Sequence, residues 1–211
     1  YLYYDISPNE LLTLLENGEG VLYPITFIEG TTLQENLEKL KNNKLLTNVD
    51  SYNSINKLKI NLGIQEKLLE GLFFPDTYYF YEGTPGIDIL KESHKLMLQK
   101  LNNAWKNKTP NLPYKNKYEA LIVASIIEKE LGSRDEASLI AGVFVNRLRV
   151  GMPLQSDPTV IYGMQDQFEG NITKQDLMRD TIYNTYTRNG LPPSPICLPG
   201  FDTIEAALNP A

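Results

Sequence analysis

The run Tyr118-Glu-Ala-Leu-Ile-Val-Ala-Ser-Ile-Ile-Glu-Lys-Glu-Leu131 limits the fold most. It is long and apolar enough for a core helix and too short to cross a membrane. At ~100° per residue, Ile122, Val123, Ile126 and Ile127 fall on one arc. Glu130 falls on that same arc, whereas Glu128 points to the far side. A carboxyl held among isoleucines is desolvated, which favours its neutral, proton-donating form. General-acid chemistry needs such a group. The alternative is that Glu130 swings to solvent at the helix end or caps a neighbouring element.

Around this helix the chain reads as α+β. Ser7-Pro8 opens a helix that Asn17-Gly18 closes, after a strand-like start at Tyr1–Ile6. Val21–Ile28 is strand-like, Glu29-Gly30 turns it, and Thr31 or Thr32 caps a helix through Leu40. Glu35 completes a capping box if Thr32 is the cap. Residues 41–63 read as loop with short helical pieces. Glu70–Phe80 is a dense aromatic segment, either strand and core or a wall on which sugar rings stack. Helices follow over Ile87–Lys106, through Glu130, and over Glu136–Val150. After Gly151 the periodicity stops, apart from a short helix near Thr173–Leu177. Such long segments rich in Pro, Gly, Asn and Tyr suit ordered loops that build a site. The expectation is a small β/α module and linker over 1–67, then a mainly helical domain with long ordered loops over 68–211.

Composition removes several functions. A net charge of −6 and the lack of a basic stripe argue against nucleic acid. With only Cys197 and His94, neither a zinc site nor a Cys/His nucleophilic pair is expected, and His94 reads as a helix-surface residue. There is no Walker pattern and no G-x-S-x-G elbow, and no cofactor is expected. The chain opens without Met and shows no signal-peptide pattern, which suggests an excised portion of a longer protein.

Two polar clusters could join Glu130. One holds Gln155, Ser156, Asp157 and Thr159; the other holds Tyr183, Asn184, Thr185, Tyr186 and Arg188. Their mixed donors and acceptors suit neutral polyhydroxylated ligands such as glycans. Asp157 also reads as a turn residue before Pro158. Glycoside cleavage usually takes two carboxylates, and here Asp157 is a possible second. A single acid suffices where the sugar supplies its own nucleophile.

The segments A-S-I-I-E-K-E (124–130), G-V-F-V-N-R-L-R-V-G-M-P-L-Q-S-D-P-T-V-I-Y-G (142–163) and Y-N-T-Y-T-R-N-G-L-P-P-S-P-I (183–196) carry a resemblance. So do E-G-L-F-F-P-D-T-Y (70–78) and Pro24–Leu40. The chain resembles the endolytic murein transglycosylases of the MltG, YceG-like type over nearly its whole length. The resemblance implies cleavage of the MurNAc–GlcNAc bond inside nascent peptidoglycan strands, leaving 1,6-anhydro-MurNAc ends. It implies Glu130, the second Glu of E-K-E, as the catalytic acid, and a LysM-like module ahead of the catalytic domain. Gln155 and Tyr183-Asn184 are similar to substrate-positioning elements of lytic transglycosylases, and Asp157, Thr159 and Tyr186 join them as candidate substrate-binding residues. The resemblance also implies an inner-membrane protein with one N-terminal span, absent from this chain, a periplasmic catalytic part, and glycan polymerases as partners. Family members usually continue past the equivalent of Ala211 into strands that complete the domain. A two-carboxylate hydrolase and a non-enzymatic glycan-binding scaffold are the competing readings.

Overall fold

A computed structural model describes residues 7–10, 12, 20–48 and 55–211. The strand expected at Tyr1–Ile6 and the end of the first helix at Asn17-Gly18 lie outside them. Pro8–Glu10 and Leu12 are helical, and the Ser7 amide donates to Glu10 Oε2 at 2.8 Å while Ser7 Oγ accepts from the Glu10 amide.

Strand β1 (Leu22–Thr26) is shorter than the Val21–Ile28 run and pairs antiparallel with β2 (Thr77–Tyr81). Alternation decides which face each residue takes. Ile25 lies opposite Tyr78 and Tyr23 opposite Phe80 on the inner face, while Thr26 and Thr77 share a 2.9 Å hydroxyl contact on the outer one. Between the strands lie α1 (Leu33–Lys41) and α2 (Ile55–Leu62). Thr32 caps α1 and Glu35 completes the capping box, satisfying amides that a helix start leaves without partners. This strand–helix–helix–strand unit, with its sheet, crosses the 67/68 position at which the sequence divides.

The second half is helical: α3 (Gly86–Lys106), α4 (Lys117–Glu130), α5 (Ala137–Arg149), α6 (Asp157–Met164), α7 (Lys174–Met178) and α8 (Phe201–Leu208). Helix α4 is the centre of the core. Every residue from Ala120 to Ile127 is buried, so the helix is enclosed on all sides rather than along one arc. Both α6 and α8 went unread in the sequence. Asp157-Pro158 starts a helix, with Pro in the first turn where its missing N–H costs nothing. Phe73, Phe74, Tyr78 and Phe80 are core residues, which favours strand and core, of the two readings of this aromatic segment, over a sugar-stacking wall. His94 is half-buried rather than on the surface: its Nδ1 meets the Leu72 carbonyl at 2.8 Å and its ring tilts against Phe73.

Among the described residues no helix is long and apolar enough to cross a membrane.

Candidate functional site

Glu130 is the last residue of α4, where the helix leaves the core. Leu131 follows in an extended conformation, and the Glu130 side chain is exposed. The burial expected of it is therefore absent: the buried run of the helix ends at Ile127, three residues before the carboxylate. What holds Glu130 is a hydroxyl. Buried Ser156 donates from Oγ to Glu130 Oε1 at 2.6 Å. Glu128 is engaged elsewhere, its Oε2 accepting from the Gly200 amide (2.9 Å) and Thr203 Oγ1 (2.7 Å). That carboxylate sits on the N-terminus of α8, where free amides and the helix dipole favour negative charge.

The two polar clusters meet through Thr185. The Ser156 amide donates to Thr185 Oγ1 (3.0 Å), the Gln155 amide to the Thr185 carbonyl (3.0 Å), and Thr159 Oγ1 lies 2.8 Å from Thr185 Oγ1. Asp157, at the start of α6, accepts from the Tyr186 phenol at 2.5 Å. Burial, then the Asp157 hydrogen bond and charge, then the nearby Glu130 carboxylate, push that phenol up to about 12. Glu130, Ser156, Asp157 and Tyr186 thus form one polar patch.

Two expected substrate contacts are framework instead. Thr159 is fully buried and donates to the Ser156 carbonyl at 2.7 Å. Asn184 is fully buried too. Its Nδ2 donates to the Leu177 and Arg179 carbonyls, and its Oδ1 accepts the Tyr186 and Thr187 amides. Neither side chain has a face left for a ligand. Gln155 has an exposed side chain, but its φ of +54° is a left-handed conformation that a non-glycine residue rarely holds. Arg188 is paired with Asp180 at 2.8 Å.

Beside this patch opens a groove of about 1590 Å³ between α1 and the body. Lys129 and Pro158, neighbours of the patch residues Glu130 and Asp157, line its near edge, and Tyr162 and Tyr183 line its wall. The two rings meet edge to face at 4.8 Å, and Tyr183 Oη lies 2.7 Å from Ser194 Oγ. The groove also holds a carboxyl that no sequence pattern singles out. Glu70 is 8% exposed; Oε1 accepts from the Leu33 amide at 2.8 Å and Oε2 from the Tyr162 phenol at 3.1 Å. Burial pushes its carboxyl up to about 7, against the opposing pull of the Leu33, Tyr162 and Gly71 donors. The trace in the sequence is a Glu set directly before Gly71 and a run of core aromatics. Among the described residues no group of His, Cys, Asp and Glu could hold a metal ion.

Fold and site together define an α+β protein whose candidate acid directly follows Lys129, a lining residue of an open groove walled by Tyr162 and Tyr183. The chain belongs to the YceG-like family, whose model matches residues 2–211. It is 33% identical over 218 residues to an endolytic murein transglycosylase of Bacillus subtilis (strain 168), covering 93% of this chain and 59% of that protein. To an endolytic murein transglycosylase of Streptococcus pneumoniae serotype 2 (strain D39) it is 37% identical over 147 residues, covering 67% of this chain and 26% of that protein. The chain therefore spans well under two thirds of the length of these relatives. The crystal structure of a YceG-like protein from Listeria monocytogenes aligns with a TM-score of 0.67 at 26% identity, covering 98% of this chain and 73% of that one.

Proposed function

We propose that this chain is the catalytic part of an endolytic murein transglycosylase, with Glu130 as its single acid and base. The observation that carries the reading is the placement of Glu130: exposed, oriented by the Ser156 hydroxyl, and next in the chain to Lys129, which lines the groove. The names of the Bacillus and pneumococcal relatives support the substrate. A MurNAc–GlcNAc strand lies along the groove with the bond to be cut over Glu130. The protonated carboxyl gives its proton to the leaving glycosidic oxygen. As carboxylate it then takes the proton of the MurNAc C6 hydroxyl, whose oxygen closes onto the anomeric carbon. The products are a GlcNAc hydroxyl and a 1,6-anhydro-MurNAc end, and no water is consumed. The Tyr186 phenol, Asp157 and Gln155 position the sugars around the bond, and Tyr183 lines their path.

The remaining parts of the reading follow the resemblance. The strand–helix–helix–strand unit is read as the LysM-like module, extending past residue 67 to include β2. An N-terminal membrane span, a catalytic part outside the cytoplasm, and glycan polymerases as partners complete it.

The test is cleavage of uncrosslinked glycan strands with mass analysis of the ends. New ends should be lighter by one water than hydrolysed ends, and Glu130→Gln should lower the rate roughly 10²–10⁴-fold. Hydrolysed ends would favour a hydrolase in which Asp157, already bound to Tyr186, handles water. Full cleavage by Glu130→Gln would remove Glu130 from the chemistry and leave a scaffold or another acid.

A further inference from the structure

We propose that Glu70 is a positioning residue for this reaction: its carboxyl clamps the first turn of α1 to α6 and so sets the wall that carries Ser156 and Asp157 beside Glu130. The proposal rests on the reading of Glu130 given above. Its geometry is that of a bridge. One oxygen takes the Leu33 amide at the start of α1, and the other takes the Tyr162 phenol on α6. Residues of both elements line the groove. Tyr162 is also the contact through which α6 meets Tyr183, whose hydroxyl is fixed by Ser194. Helix α6 is only eight residues long, so what holds Tyr162 also orients Asp157 at its other end and Ser156 just before it. Ser156 is in turn the hydrogen-bond donor to Glu130.

Glu70 is placed to orient rather than to react. Both oxygens are already engaged, and the residue is buried although it lines the groove. A buried carboxyl is costly to keep charged, and a hydrophobic residue could fill the space without that cost. Joining an orphan helix amide to a phenol takes a group with an acceptor for the amide and a second polar atom for the phenol, which no hydrophobic residue supplies.

The experiment measures kcat and KM on uncrosslinked glycan strands for the full-length protein carrying Glu70→Ala, Glu70→Gln or Tyr162→Phe, each checked by thermal melting. Glu130→Gln runs alongside. Misplacing a reacting group by about 1 Å costs up to about 10²-fold, so Glu70→Ala should lose roughly 10- to 100-fold in kcat with KM within about threefold. Glu70→Gln, which still accepts from Leu33 and donates to the Tyr162 oxygen, should recover most of that loss. Tyr162→Phe should reproduce part of the Glu70→Ala loss. The proposal is overturned if folded Glu70→Ala keeps its kcat, or if only KM rises, as for a direct sugar contact. It is also overturned if Glu70→Gln is as inactive as Glu130→Gln, which would make Glu70 a reacting group. An active Glu130→Gln overturns the reading of the acid itself, whatever the Glu70 variants do.

Discussion

Substituting Glu70 by glutamine should make stability less sensitive to pH, and the size of the effect follows from the structure. Burial raises this carboxyl from its ordinary 4.5 to about 7, so the folded protein holds the proton more tightly than the unfolded chain does. The stabilising contribution is therefore complete below about pH 4.5 and is lost as pH rises towards 7, the reverse of a salt-bridged carboxylate. At 1.36 kcal/mol per tenfold, the loss between pH 5 and pH 8 is about 2.5 kcal/mol. Glutamine does not titrate, and its altered hydrogen bonds add only an offset that is equal at both pH values. Other titrating groups cancel when variant and parent are compared. The difference in unfolding free energy, variant minus parent, should thus move by about 2.5 kcal/mol in the variant's favour from pH 5 to pH 8. For a chain of this length that is a relative gain of roughly 5–10 °C in melting temperature. Denaturant unfolding at the two pH values reads it directly. An unchanged difference would mean that Glu70 does not titrate in this window and that the burial argument fails.

Other substitutions probe the site's frame. Gly71 sits at φ +76° with the space for a Cβ taken by Pro195, whose Cβ would lie 2.4 Å away. Gly71→Ala should cost about 2 kcal/mol or more in a thermal melt, and a smaller loss would show that the Pro195 loop yields easily. Asn184→Ala strips partners from the Leu177 and Arg179 carbonyls and the Tyr186 and Thr187 amides. It should destabilise by about 1–3 kcal/mol and slow cleavage by displacing Tyr186; unchanged melting would refute the framework role. Gln155→Gly relieves a left-handed backbone and should keep or raise stability. If its cleavage rate is also unchanged, the Gln155 side chain does not touch the glycan.

Legibility in the sequence tracked how local the cause was. The Thr32–Glu35 box was readable because a cap and its partner lie three residues apart. The core helix was readable because its apolar run is continuous. Its exit point was not: a helical wheel gives the direction of Glu130 but not where the surrounding helices stop covering that direction. Helix α6 was masked by Ser156-Asp157-Pro158, a triplet that serves equally as a turn and as a helix start. Glu70 takes its meaning from Leu33 and Tyr162, separated from it by 37 and 92 residues, and no local pattern records such a meeting. The 155–159 and 183–188 clusters are visible in the sequence as residue types. Which members face outward depended on Thr185 and Asn184 closing the loops from within.

The β1–β2 sheet makes the two halves of the chain depend on each other for folding. Thr26 and Thr77 pair across 51 residues, so forming the sheet closes a long loop. A cut near residue 67 would separate the partners. One fragment would keep Ile25 and Phe27 without the Tyr78 that each meets; the other would keep Tyr78 and Phe80 on a bare edge strand. Exposed aromatic edges of this kind recruit other chains. A catalytic fragment trimmed to the sequence boundary should therefore aggregate, whereas one that starts before Leu22 retains its own edge partner.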